Sequence, residues 1–392
     1  MQVEKLTVVH ITPDSFPPDI RIEREVRTLI KAGYNLLIYA SDETEARFRR
    51  DSYKGAKVIY CKWIKVKGFC LVSWRTLFEL LKRVKPCIIH VHNPQLFPQV
   101  MLVAKKLGAK VVYDNHELWS MFATFYKTNP ILKLMMIPLY FFLELIAVIF
   151  SHAIITVSEE MKNILCRLYR VNPNKVFVLE NFEEITTLSD LTLEEPPSDF
   201  LNIKDYSFVI GYLGGTEAHR GLTRMLQGLR YLSKDLFDKV IVLIIGPVSK
   251  YLKNFLIRSG KELSSKIILM GYLPFSLALN ILRKADVTVL PYEYNAYTMY
   301  ALPNKVCHYL YLKKPLIATR LNSLKRYFGD SIYFVNEPDP RKLADAIQRL
   351  YTDSNLRRRL GDRGYEIIMT KNNWENVSRK LINCYYSLLF RN

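Results

Sequence analysis

Short apolar runs and amphipathic stretches alternate along the whole chain. Leu6–Ile11, Leu36–Tyr39, Val58–Cys61, Ile88–His92, Val111–Tyr113, Ala153–Val157 and Val176–Leu179 are apolar runs of strand length and predict buried strands. Between them, Ile20–Ala32 and Leu96–Leu107 carry helical periodicity. Each has a lysine near its end and a glycine just beyond, Gly33 and Gly108, as suits a helix C-terminus. Strands alternating with helices predict parallel pairing through right-handed crossovers, and so an open α/β domain. The same rhythm restarts at Phe208–Tyr212 and continues through Val240–Ile245, Ile267–Met270, Val287–Leu290, Pro315–Ala318 and Ile332–Val335.

The rhythm breaks between the two halves. Residues 183–205 hold seven acidic residues against the single base Lys204, together with Pro196-Pro197, and read as an acidic linker. The expected organisation is therefore a first Rossmann-like domain over 1–182, a linker over 183–205 and a second Rossmann-like domain over 206–370.

Composition sharpens this picture. The 392 residues carry 56 Lys+Arg against 37 Asp+Glu, a net charge of +19, which calls for an anionic partner: nucleic acid, an acidic membrane surface or a phosphorylated small molecule. Six cysteines without C-x-x-C spacing support neither a zinc ribbon nor a disulfide scaffold and fit reduced thiols in a cytosolic setting. Met1–Lys5 leads straight into an apolar strand, so a signal peptide is not expected and the cytoplasm is.

Two segments of the first half stand apart. Arg47–Lys85 holds twelve Lys/Arg against Asp51 and Glu79, with Trp63, Phe69 and Trp74 interleaved. Leu134–Phe150 is apolar except for Glu144 and has Pro138 inside it, short of the roughly 20 residues a bilayer span needs. Taken singly, they read as a solvated face and a core helix. Together they point to docking of the first domain on anionic lipid.

The turns after the strands are where this architecture binds ligands. The first strand runs into Thr12-Pro13-Asp14, not G-x-G-x-x-G, and no G-x-x-x-x-G-K-[ST] occurs, which argues against a dinucleotide cofactor and a P-loop ATPase. No Asp-x-Asp pair exists to chelate a metal on a nucleotide diphosphate, so no metal and no cofactor are expected. Gly211–Gly221, between a strand and a helix, contains Gly214, Gly215 and Arg220. It can cradle an anion or be a plain connection, and a Gly-rich turn alone does not decide. In Pro303-Asn304-Lys305, the lysine falls at a predicted helix start, an awkward place for a cation unless an anion is near; His308 follows one turn on. In the first domain Asp114-Asn115-His116-Glu117 ends a strand. There, His116 can bond a substrate hydroxyl or shuttle a proton, or the segment can merely cap a helix.

In order and spacing these pieces resemble the family 4 retaining glycosyltransferases of the GT-B fold, in a subgroup with Pro-Asn-Lys. The resemblance runs through Pro17–Leu29, Val112–Trp119, Ile154–Met161, Glu180-Asn181, Gly211–Gly221, Gly271-Tyr272 and Pro303–Lys305. It implies two Rossmann-like domains facing each other across a cleft, with the Trp374 segment, within 371–392, crossing back to the first domain. It further implies that Arg220 and Lys305 hold the donor diphosphate, with Gly214 and Gly215 in the phosphate-side loop. His116 would contact the donor sugar, Gly271 and Tyr272 would meet the base, and Asn304 and His308 would belong to the donor site. The implied substrates are a nucleotide-sugar and a saccharide acceptor. A lipid-linked acceptor at the inner face of a membrane suits the basic and apolar segments of the acceptor-side domain, in polysaccharide or glycoprotein glycan assembly. One departure stands out: Tyr300 and His308 occupy the places of two glutamates that the family usually carries. That departure motivates an alternative, a nucleotide- or partner-binding module without turnover. A second alternative, a glycosyltransferase acting on nucleic acid, rests on the charge alone, and nucleic acid is not the expected partner.

Overall fold

The computed structural model describes residues 6–14, 16–17, 19–41, 48–61, 64–66, 69–71, 74–119, 130–192, 194–195, 207–295 and 297–390; the side chains of 48–50, 61–73 and 130–133 lie outside it. Contacts divide the chain into two units, residues up to Asn181 together with those from Trp374 onward, and Phe182–Asn373.

The first unit is built on an eight-stranded sheet. Its strands are β1 (Thr7–Ile11), β2 (Asn35–Ser41), β3 (Phe48–Tyr53), β4 (Ala56–Cys61), β7 (Ile88–Val91), β8 (Lys110–Asn115), β9 (Ala153–Thr156) and β10 (Val176–Val178). They lie in the order β10-β9-β8-β7-β1-β2-β4-β3. Strand pairing is parallel throughout except between β3 and β4, which form an antiparallel hairpin that strand–helix alternation did not anticipate. The hairpin falls in the basic run, whose charges mask its period-2 pattern. Two further short strands, β5 (Ile64–Val66) and β6 (Phe69–Leu71), pair with each other. Trp63 lies outside the described residues, as does the side chain of Phe69.

Helix Ile20–Lys31 starts where the Asp19 carboxylate accepts from the amides of Arg21 and Ile22, both at 3.0 Å, and a glycine in the left-handed region, Gly33, follows it. Its buried side holds Ile22, Val26 and Leu29, and also Arg21, Arg24 and Glu25. Charges on a buried stripe mark a polar interior there. Helix Trp374–Phe390 belongs to this unit: the Trp374 indole donates to Thr28 Oγ1 at 2.9 Å and lies under the Arg24 guanidinium, while Lys380 pairs with Glu180 at 2.7 Å.

The apolar stretch forms helix Pro130–Phe150, which includes Pro138. Met136, Tyr140, Leu143 and Ala147 face inward at helical spacing. Glu144 is fully buried; it accepts from the Asn115 side chain (2.9 Å), the Trp119 amide (3.2 Å) and the Tyr169 hydroxyl (2.8 Å), which is why an acid is tolerated there. The outer side leaves Leu134, Met135, Leu139, Phe141, Phe142, Ile149 and Phe150 exposed. Among the described residues, no helix is long and apolar enough to cross a membrane.

Among the described residues the second unit has six strands, β11 (Phe208–Leu213), β12 (Val240–Ile245), β13 (Ile267–Gly271), β14 (Val287–Leu290), β15 (Leu316–Thr319) and β16 (Tyr333–Val335). They are parallel and ordered β13-β12-β11-β14-β15-β16. This is the doubly wound 3-2-1-4-5-6 order, whose direction of growth reverses between β11 and β14. Its core gathers residues such as Ile210, Val242, Ile244, Val289, Leu226 and Ile347. The acidic stretch read as a linker is in part docked on this unit. Glu183 and Glu184 are buried, Ile185–Ser189 is helical, and Glu194 accepts from Ser276 at 2.7 Å.

Candidate functional site

In the second unit, β11 ends at the reversal point and runs into Gly214-Gly215. Gly214 has φ +122°, and a side chain on it would collide with the Lys305 ammonium. The Tyr212 hydroxyl donates to the Gly215 carbonyl at 2.6 Å and holds the loop. A short 3-10 turn, Ala218–Arg220, leads to Gly221, where φ is +67° and a Cβ would strike the Pro291 carbonyl at the end of β14. Only glycine lets this turn approach the end of β14 so closely.

Two cations converge on this loop. Arg220 donates from Nη1 to the Tyr292 hydroxyl and stacks over that ring at 5.1 Å, and its Nε lies 3.4 Å from the exposed Glu217 carboxylate. Lys305 opens helix Lys305–Tyr311. Its Nζ donates to the Tyr212 hydroxyl at 3.1 Å and lies 4.4 Å from the Tyr212 ring centre and 5.7 Å from that of Tyr292. No salt bridge to a carboxylate is made by Lys305 among the described residues. Burial first, and Arg220 second, push its pKa well below the ordinary lysine value. The neighbouring His219 is lowered to about 4 by burial and then Arg220, so its imidazole is neutral at pH 7. A partly buried ammonium beside a guanidinium, on a glycine loop, is a place for an anion: its arrival offsets both penalties at once.

Asn304 directly precedes Lys305. His308, one turn further, is buried; its Nε2 lies 2.9 Å from the Glu183 carboxylate, its ring meets Phe275 edge-on, and its Nδ1 has no hydrogen-bond partner among the described residues. Gly271 and Tyr272 sit at the end of β13, two strands from β11. Gly271 has φ +66°, and Tyr272 is 85% exposed. Thus Gly214, Gly215, Arg220, Asn304 and Lys305 come together at the reversal point, whereas Gly271-Tyr272 and His308 lie to its sides. Tyr212 and Tyr292, which sequence reasoning does not single out, complete the cationic pocket. Their only sequence signal is a tyrosine at or just past the end of a strand.

The remaining candidate, His116, belongs to the first unit, at the end of β8. Its Nε2 bonds Asp114 Oδ2 at 3.0 Å. Asp114 is fully buried and accepts two bonds from Arg21, Nε to Oδ2 at 3.0 Å and Nη2 to Oδ1 at 2.8 Å. Burial alone would raise the Asp114 pKa, but Arg21 and then His116 outweigh it and hold the carboxyl well below its ordinary value. The ionised carboxylate thereby orients the His116 ring. Behind it lie His10, His90, His92 and Glu25, all buried, none of them singled out from the sequence. The signal was present: histidines two apart in β7 and its extension, another in the adjacent strand, and charges on the buried stripe of the first helix.

The fold and the loop define an α/β protein of two Rossmann-like units with an anion-suited pocket in the second. Residues 20–182 match the model of Glycosyltransferase Family 4 and residues 196–367 that of Glycosyl transferases group 1. Together the two matches take in most of the chain, which belongs to the family 4 type of glycosyltransferases with the GT-B fold. An uncharacterized glycosyltransferase of Methanocaldococcus jannaschii is 20% identical over 60% of this chain, which spans only 60% of that relative's length. One polypeptide of the phosphatidylinositol N-acetylglucosaminyltransferase of Arabidopsis thaliana is 20% identical over 88% of this chain and 74% of its own. Among solved structures, sucrose-phosphate synthase from Thermosynechococcus elongatus superposes with a TM-score of 0.75 at 14% identity, over 99% of this chain and all of the other. Anabaena HepE in complex with UDP-glucose gives 0.73 at 11% identity, over 97% of this chain and all of its own. At these identities the structural likeness speaks to the fold.

Proposed function

We propose that this chain is a retaining glycosyltransferase that moves a sugar from a nucleotide-sugar to a lipid-linked saccharide, at the cytoplasmic face of a membrane, in cell-surface polysaccharide or glycoprotein glycan assembly. The observation that carries the reading is the pairing of Lys305 with Arg220 at the Gly214-Gly215 loop, where β11 and β14 diverge. A nucleoside diphosphate leaving an anomeric carbon gathers negative charge, and preorganised cations stabilise such charge more in the transition state than in the ground state. With both cations in place and no Asp-x-Asp in the chain, the diphosphate needs no bridging metal. His116, held by an ionised Asp114, takes the contact with the donor sugar. Gly271 and Tyr272 lie toward the base, and Asn304 and His308 toward the rest of the donor. HepE, of the same fold, has been seen with UDP-glucose, which favours a sugar nucleotide as donor.

The apolar outer face of helix Pro130–Phe150 supports the membrane part. This helix packs, away from that face, against helix Phe97–Leu107, which packs in turn on helix Trp74–Val84. Those two helices leave Leu102 and Trp74 exposed and carry Lys105, Lys106, Lys82 and Arg83 in their last turns. Apolar side chains next to lysines and arginines are the composition of a surface that settles on anionic lipid.

The test pairs nucleotide binding with transfer. Melting curves with UDP, GDP, ADP, dTDP and CMP should show one class raising Tm, since a ligand at 100 times its Kd adds about 2.7 kcal/mol. The matching sugar nucleotide should then transfer to a polyprenyl-diphosphate saccharide with retention at the anomeric centre. Absence of any nucleotide-induced shift overturns the donor assignment. Binding without transfer to any acceptor favours the non-catalytic module that Tyr300 and His308 suggest.

A further inference from the structure

We propose that the first unit holds a divalent transition-metal ion of the zinc class, bound by His10, Glu25, His90 and His92. All four are buried, and each offers a ligand atom such that the set lies within 4.8 Å. His10 belongs to β1, His90 is its register partner on β7, and His92 lies two residues further along, so the strand period puts all three on one face. Glu25 comes down from helix Ile20–Lys31, which covers that face.

The hydrogen bonds around the cluster admit a protonation pattern that leaves three ring nitrogens free toward its centre. Tyr385 Oη lies 2.7 Å from His90 Nδ1 and 3.3 Å from His10 Nε2, and a hydroxyl oxygen can accept from both. His92 Nδ1 lies 3.4 Å from Asp114 Oδ2, a carboxylate that can only accept, and 3.3 Å from His116 Nε2. With the outward nitrogens donating, the inward ones, His10 Nδ1, His90 Nε2 and His92 Nε2, are lone pairs. Yet His10 Nδ1 and His92 Nε2 stand 2.9 Å apart, and Glu25 Oε2 is 3.9 Å from each. Among the described residues, His90 Nε2 makes no hydrogen bond, with Asp114 Oδ2 3.6 Å away, and the Glu25 oxygens make none, Oε1 having only the ion pair with Arg21. In that pattern the lone pairs face one another, and a cation among them relieves their repulsion.

A tetrahedral ion with ligands at about 2.1 Å sets them about 3.4 Å apart, between the separations found here. Three imidazoles and a carboxylate suit zinc and its neighbours rather than calcium or magnesium. The supporting shell is also in place. Tyr385 and Asp114 stand where they can receive the outward N–H groups, and Arg21 Nε is 3.3 Å from Glu25 Oε1. With four protein ligands and no exposed member, the site is closed and structural: it ties β1, β7 and the first helix together. Lack of Asp-x-Asp bears on a diphosphate-bridging ion and not on this one.

The test uses the full chain, prepared without a polyhistidine tag. Metal analysis of wild-type protein should give about one zinc-class ion per chain. Stripping the ion with a strong chelator should lower Tm, and adding Zn²⁺ should restore it. Co²⁺ in its place should give the visible absorption of a tetrahedral cobalt centre. H90N and E25Q should lose the ion and the chelator response, while H152N, at an exposed histidine outside the cluster, keeps both. Less than about a tenth of an ion per chain, with no cobalt band and no Tm response to Zn²⁺, overturns the proposal. If the cluster variants do not fold, the wild-type chelation and cobalt measurements decide.

Discussion

Lys305→Met separates a binding cation from a structural one. Methionine keeps most of the stem volume beside the Tyr212 and Tyr292 rings and removes only the charge and the 3.1 Å bond to Tyr212. In the free protein that charge is a burden, disfavoured by burial and by Arg220. The variant should therefore melt at the wild-type temperature or above. A diphosphate, by contrast, loses a charge-assisted partner worth about 1.5–3 kcal/mol, so its Kd should rise by about 10- to 150-fold. Calorimetry with the nucleotide that binds, above pH 8 where the phosphates no longer titrate, reads both effects and adds a third. Because the ligand raises the depressed pKa of Lys305, binding to wild type should take up protons, seen as a dependence on buffer ionisation enthalpy. Affinity should fall as pH rises past the depressed value, and the variant should show neither effect. The stability sign follows from the same shift. The cost of a folded-state pKa below the unfolded one is fully present at pH below the folded pKa and is relieved as pH climbs toward the unfolded value, so the Tm gap between variant and wild type should narrow in alkali. Unchanged affinity, or a Tm several degrees lower, would refute the argument.

Three further substitutions probe the frame around the site. Gly221→Ala places a Cβ on the Pro291 carbonyl at φ +67° and should cost about 3 kcal/mol, some 6–12 °C in Tm; an unchanged melt contradicts the close approach of the Gly221 turn to the end of β14. Glu144→Leu removes the acceptor shared by Asn115, Trp119 and Tyr169 and should cost a comparable amount, about 3 kcal/mol, with Glu144→Gln recovering part of it in the same melts. Leu139→Asp with Phe142→Asp, both on the exposed face of helix Pro130–Phe150, should leave Tm within about 1 °C while abolishing cosedimentation with anionic vesicles. Undiminished vesicle binding would remove the membrane from the proposed function.

Periodicity by itself determined the greater part of the architecture. The apolar runs lie within a residue or two of the strands, because strands buried on both faces must be apolar throughout, and glycine after lysine marked the end of the first helix. Local patterns were silent where one pattern overrode another. The antiparallel hairpin Phe48–Cys61 was hidden by charge, and Glu183 and Glu184, in a stretch that reads as solvated, are buried because His308 and the second unit give them partners. Gly214, Arg220 and Lys305 could each be named from their turns, but that Lys305 reaches the loop after β11 from 90 residues away, against Tyr212 and Tyr292, depends on β11 and β14 being neighbours. The histidine cluster makes the same point more strongly. His10, Glu25, His90 and His92 are scattered over 82 residues and read singly as core positions. Strand register and the helix crossing above it turn their nitrogens and carboxylate toward one point, since pairing in a parallel sheet is set by contacts between segments far apart in the chain, and no local pattern encodes it.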